Sequence, residues 1–90
     1  MKKAMRATIR GKVQGVWFRK YTRDKALELG IKGFVKNQPD GTVYVEAEGD
    51  PDKLEKFKAW LYEGSPLSRV DEVEIEETEV KHYPTFEIIY

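Results

Sequence analysis

Met5 to Gly30 reads MRATIRGKVQGVWFRKYTRDKALELG, and the repeat of its apolar residues changes partway along. From Met5 to Val13 they take alternate positions, at Met5, Ala7, Ile9 and Val13, with Arg6, Thr8, Arg10 and Lys12 between them. A period of two predicts a strand with one buried face. From about Phe18 the period lengthens. Phe18, Thr22, Ala26 and Leu29 then share one face of a helix, while Arg23, Asp24, Lys25 and Glu28 point elsewhere. Gly30 follows as a C-terminal cap. A strand passing directly into a helix at the start of the chain sets the class of fold that the rest must complete.

The residues beyond Gly30 complete it. Ile31 to Asn37 reads as a strand, and Gln38-Pro39-Asp40-Gly41 has turn chemistry, with proline fixing φ and glycine tolerating positive φ. Thr42 to Glu48 returns as the second arm of a hairpin, Val43, Val45 and Ala47 alternating with Tyr44, Glu46 and Glu48. Asp50-Pro51-Asp52 is a helix start, where Asp50 can accept free backbone N–H groups and Asp52 suits the dipole. Leu54, Phe57, Trp60 and Leu61 form that helix's apolar stripe, and Glu63-Gly64-Ser65-Pro66 stops it. Val70 to Glu79 is a strand with Val73 and Ile75 on one face and glutamates on the other, and Phe86 to Tyr90 is a short final strand. Lys2 and Lys3 are expected to be a mobile start. The order predicts an α+β, ferredoxin-like βαββαβ sandwich, an antiparallel sheet with two helices on one face plus a C-terminal strand. Residues 1–90 are expected to form one domain.

Composition narrows the chemistry. The 16 basic and 16 acidic residues cancel, which argues against a nucleic-acid partner that would need a broad positive field. The strand carrying Tyr44 also carries Glu46 and Glu48, which disfavours an RNA-binding sheet. No cysteine is present and the one histidine, His82, cannot build a metal site alone, so no cofactor and no metal are expected. His82 reads as a surface residue, and the acidic run Glu72 to Glu79 as a solvated strand face. No apolar run is long enough for a signal peptide or a membrane span, so the expected address is cytoplasmic, with no membrane partner.

The junction between the first strand and the first helix departs from ordinary capping. No Ser, Thr, Asp or Asn stands just before the helix, and Arg19 and Lys20 occupy its first turn, at the positive end of the dipole. An external anion would answer both the free N–H groups and the misplaced charge. Gly11 and Gly15 allow the backbone to turn its amides inward, as phosphate-holding loops do, and Arg19 supplies a planar fork for two phosphate oxygens. In the predicted topology the ends of the first and second strands lie on one edge of the sheet, which brings Asn37 near the helix start. Its carboxamide can hold a water in line with a bound phosphorus, although taken alone it reads better as a turn asparagine before its Pro-Asp-Gly neighbours.

The run Gly11-Lys12-Val13-Gln14-Gly15-Val16-Trp17-Phe18-Arg19 is followed by Ala26-Leu27-Glu28-Leu29-Gly30 and by Gly33-Phe34-Val35-Lys36-Asn37 with Asp40-Gly41-Thr42-Val43. Together these resemble the acylphosphatase family. The likeness continues through Trp60-Leu61, Gly64-Ser65-Pro66-Leu67-Ser68-Arg69-Val70 and Phe86-Glu87-Ile88, so it spans nearly the whole chain. It implies hydrolysis of the carboxyl-phosphate bond of small acyl phosphates to a carboxylate and inorganic phosphate, without metal or cofactor. It also implies Arg19 on the substrate phosphate, Asn37 on the attacking water, and the amides of Gln14, Gly15, Val16, Trp17, Phe18 and Arg19 as the phosphate cradle. Trp17 departs from the family motif, which often has a smaller or different residue there. Its ring can narrow the site mouth or stack on substrate, or simply pack.

The competing expectation is a non-catalytic anion-binding or regulatory module of the same architecture. A related domain opens large hydrogenase-maturation carbamoyltransferases. The absence of zinc-finger cysteines here points instead to a small free-standing acylphosphatase acting as a monomer.

Overall fold

The computed structural model describes residues 1–90. Its elements run β1 (Lys3–Lys12), α1 (Phe18–Leu29), β2 (Lys32–Asn37), β3 (Val43–Gly49), α2 (Pro51–Glu63), β4 (Arg69–Thr78) and β5 (Phe86–Ile89). Lys3 already pairs with Gly49, so the first strand begins earlier than its apolar alternation and Lys3 is not a mobile start. The sheet order is β4-β1-β3-β2-β5. The first four strands pair antiparallel as expected, whereas β5 joins β2 in parallel and makes the sheet mixed. A parallel neighbour needs a long crossover. Residues 79–85 complete it, carrying the chain from one edge of the sheet to the other.

One face of the sheet meets both helices. Met5, Ala7 and Ile9 from β1, Val35 from β2 and Val45 from β3 pack against Phe18 and Ala26 of α1 and Leu54, Phe57 and Leu61 of α2. Phe18 reaches Trp60 at 5.6 Å between ring centroids, which ties the two helices together over the sheet. Phe57 meets Phe86 at 5.9 Å and pins β5 to the same core. Thr22 is fully buried on the apolar face of α1, and its hydroxyl donates to the Phe18 carbonyl at 2.7 Å, which removes the penalty of burying it. The opposite face carries charge. Arg6 meets Glu76 at 2.9 Å, and Arg10 meets Glu72 at 3.2 Å and Glu74 at 2.6 Å, so the acidic strand face expected from the alternation lies in cross-strand pairs.

Two local expectations fail for clear reasons. Asp50 stands at the start of α2, but its side chain makes no capping bond, and its carbonyl instead takes the Leu54 N–H at 2.8 Å. Glu48 belongs to the polar alternation of β3, yet it is only 2% exposed. The crossover segment lies over it, and its carboxylate accepts the backbone N–H groups of Lys81 at 2.8 Å and Tyr83 at 3.1 Å. A period of two assigns faces but does not reveal which face a distant loop will cover.

Because β1 and β2 both run antiparallel to β3 between them, they end on the same edge. Val43 pairs with Ile9 on one side and with Asn37 on the other. The functional site forms at that edge.

Candidate active site

The chain leaves β1 at Lys12 and enters α1 at Phe18 through a loop whose geometry is unusual residue by residue. Gly15 has φ +73° with open space where a side chain would stand, so it supplies the inward turn expected of a cradle glycine. Gly11 does not. It lies within β1 beside a register shift against β4, and any side chain there would run into the Arg69 carbonyl oxygen. Its lack of Cβ therefore serves strand packing rather than the cradle. Trp17 precedes the helix in left-handed conformation, φ 64° and ψ 17°, with no side-chain cap. The N–H groups of Gln14 through Lys20 donate to no acceptor within the chain. A ring of free donors at a helix start is the backbone arrangement that holds an anion.

Two contacts outside the motif hold this loop open. Ser65 is buried and donates to the Val16 carbonyl at 2.8 Å, which draws that carbonyl toward the end of α2. The Gln14 carboxamide donates to the carbonyls of Gln38 at 2.8 Å and Thr42 at 2.9 Å, bracing the loop against the β2–β3 turn. That turn is itself stiffened by Asp40, which accepts from the Thr42 amide at 3.0 Å and hydroxyl at 2.6 Å. The Gln14 side chain is thus a strut, while its backbone N–H, expected as a cradle amide, donates to no acceptor within the chain. Ser65, read from the sequence only as part of a helix stop, is the positioning residue that the sequence reading missed. The only available clue was a hydroxyl beside a cap glycine.

Gly15, Trp17, Phe18, Arg19 and Asn37 line one open cavity of about 430 Å³. Val16 and the Phe18 ring point into the core, so any part they take in anion binding comes from the backbone. Arg19 forms no ion pair, while its neighbours Lys20 and Arg23 both turn to Asp24, at 2.8 and 3.6 Å. The Arg19 guanidinium lies 4.8 Å from the ring centroid of Tyr90, a cation–π contact that holds the fork without neutralising it. The Asn37 Oδ1 is buried and accepts no bond from the protein. An unpaired buried acceptor is costly, and in a cavity beside an uncompensated cation it points to a polar ligand. No three His, Cys, Asp or Glu side chains gather as a metal site would require. His82 is exposed and lies outside the cavity.

Fold and site together define a domain of split βαβ topology with a candidate anion site where β1 and β2 end. A family model described as Acylphosphatase matches residues 5–88. An acylphosphatase of Archaeoglobus fulgidus is 47% identical over 87 residues, covering 97% of this chain and 98% of the relative. The crystal structure of an acylphosphatase from Bacillus subtilis superposes with a TM-score of 0.95 at 34% identity, with all of both chains covered. The solved structure of a Coxiella burnetii acylphosphatase gives 0.94 at 40% identity, over 98% of this chain and 93% of the other. The chain belongs to the acylphosphatase family.

Proposed function

We propose that residues 1–90 act as one catalytic unit that hydrolyses small acyl phosphates, with Arg19 and the amides from Gln14 to Arg19 gripping the phosphoryl group and Asn37 orienting the attacking water. The observation that carries this assignment is the single cavity in which an unpaired arginine, free helix-start amides and a buried unpaired carboxamide oxygen meet. Water held by the Asn37 Oδ1 attacks phosphorus, and the bond from phosphorus to the acyl oxygen breaks. The carboxylate leaves with the electron pair and the water's proton passes to a phosphoryl oxygen. A carboxylate is a good leaving group, so positioning and charge stabilisation suffice and no protein nucleophile is needed. Donors fixed before substrate arrives need no reorganisation as charge shifts among the phosphoryl oxygens.

The proposed form is a cytoplasmic monomer. Cross-strand ion pairs cover the open face of the sheet, and a face of that kind does not favour burial against a second copy. No helix is long and apolar enough to cross a membrane.

Benzoyl phosphate hydrolysis by Arg19→Ala and Asn37→Ala tests the roles. Each variant should stay folded and lose at least about 100-fold in kcat/KM, the scale of losing one pre-aimed transition-state donor. Near wild-type turnover by a folded variant would remove that residue from the mechanism. Phosphate binding without hydrolysis by the unaltered protein would leave a non-catalytic anion-binding module.

A further inference from the structure

The backbone at position 17 demands a left-handed conformation, with φ 64°. Glycine adopts it freely, whereas a Cβ crowds the following carbonyl oxygen there. The residue present is tryptophan, and its ring lies 67% exposed instead of packing into the core. Local sterics and apolar burial therefore both disfavour the side chain found there. Trp17 joins no aromatic pair, Phe18 and Trp60 pairing with each other instead, and it is not among the residues packed on the core. What Trp17 does share is the cavity that holds Arg19 and Asn37.

That cavity is larger than a phosphate needs. Its volume is about 430 Å³, whereas a phosphate group takes the space of roughly three waters, about 90 Å³. The phosphate end is set by Gly15, Arg19 and Asn37. The rest of the wall includes the aromatic and apolar side chains of Trp17, Ile88 and Tyr90, with Lys20 and Arg23 beside them. In an acyl phosphate held by its phosphoryl group, the acyl group must extend along that remainder.

Resting on the hydrolase assignment above, we infer that Trp17 is a specificity-determining residue whose indole forms a stacking platform for the acyl group and selects flat aromatic acyl phosphates over small aliphatic ones. The ring is held at the mouth by the same left-handed turn that aims the cradle amides, so phosphate grip and acyl selection are built into one residue. Aromatic stacking is worth enough to change selectivity by roughly three- to tenfold.

The test compares kcat/KM for benzoyl and acetyl phosphate in the wild-type protein, Trp17→Ala and Trp17→Phe. The benzoyl-to-acetyl ratio should fall roughly three- to tenfold in Trp17→Ala and recover most of its value in Trp17→Phe. Any change in the cradle itself alters both substrates by one factor and cancels in the ratio. An unchanged ratio in Trp17→Ala, with both substrates still turned over, overturns the role of Trp17 and leaves the hydrolase assignment standing. Failure of the wild-type protein to hydrolyse either compound overturns both.

Discussion

Two residues other than glycine adopt positive φ, Trp17 at 64° and His82 at 61°, and their surroundings are opposite. Around His82 the backbone is satisfied from within. The amides on either side of it, Lys81 and Tyr83, both donate to the buried Glu48 carboxylate, and Lys81 and Tyr83 also reach Glu46 with their side chains at 2.7 and 2.6 Å. Around Trp17 the chain satisfies only the carbonyl side, through Ser65 on Val16, and leaves a run of amides free. The same local conformation therefore does two jobs. In the crossover it closes a loop onto the sheet; in the cradle it keeps donors pointed at a cavity. Strain compensated inside the molecule is structural, and strain left uncompensated beside a cavity is a mark of function.

The largest expected effect separates the two loops by stability and activity. Glu48→Ala strips the buried acceptor from two backbone amides of the crossover and should lower unfolding free energy by about 2–3 kcal/mol in denaturant melts, with kcat/KM on benzoyl phosphate within about twofold of wild type. Ser65→Ala should do the reverse, costing about 1 kcal/mol in stability but about tenfold in kcat/KM, because the cradle loses its latch. Equal activity losses in the two variants would erase the distinction.

Next in size is a pH effect confined to the crossover. Burial disfavours the Glu46 carboxylate, but hydrogen bonds from Lys81, Tyr83 and Tyr44 outweigh it and hold its pKa near 2, below the ordinary 4.5. A depressed folded pKa contributes stability that is full above about pH 4.5 and is lost as pH falls toward 2. Acid titration of unfolding free energy should therefore show a decline of about 1–2 kcal/mol across that window, and Glu46→Gln should flatten it. Tyr44 is shifted the other way, pushed up to about 12 by burial and by its bond to Glu46. Its contribution is present below about pH 10 and disappears as pH rises through about 12.

The smallest effect is common to both loops. Trp17→Gly and His82→Gly each relieve a left-handed residue and should raise stability by about 0.5–1 kcal/mol, read as a shift in thermal midpoint. A loss of stability in Trp17→Gly would mean that the indole is a packing residue after all.

Much of this was legible in the sequence because it rests on local rules. Met5 to Leu29 shows its strand and helix by period alone, and the missing cap before Phe18 together with Arg19 in the first turn marks the candidate anion site. Asn37 needed topology as well, since only antiparallel pairing of β1 and β2 with β3 brings it to the cradle. What stayed hidden depends on long-range packing. Glu48 looks like any outward glutamate until the crossover covers it. Gln14 and Ser65 act through side-chain bonds to backbone 24 and 49 residues away, which no local pattern encodes. Gly11 misled because positive φ serves strand packing as readily as it serves a cradle.

The most direct test of the central claim is a phosphate titration followed residue by residue by amide NMR. Phosphate should shift the amide resonances of Gly15 through Lys20 and the Asn37 side-chain amide, with the loop at Lys81 to Tyr83 unmoved, and Arg19→Ala should abolish the response. Saturable phosphate binding that leaves the Gly15–Lys20 amides in place, or that survives Arg19→Ala, would contradict the assignment of this loop as the phosphate cradle.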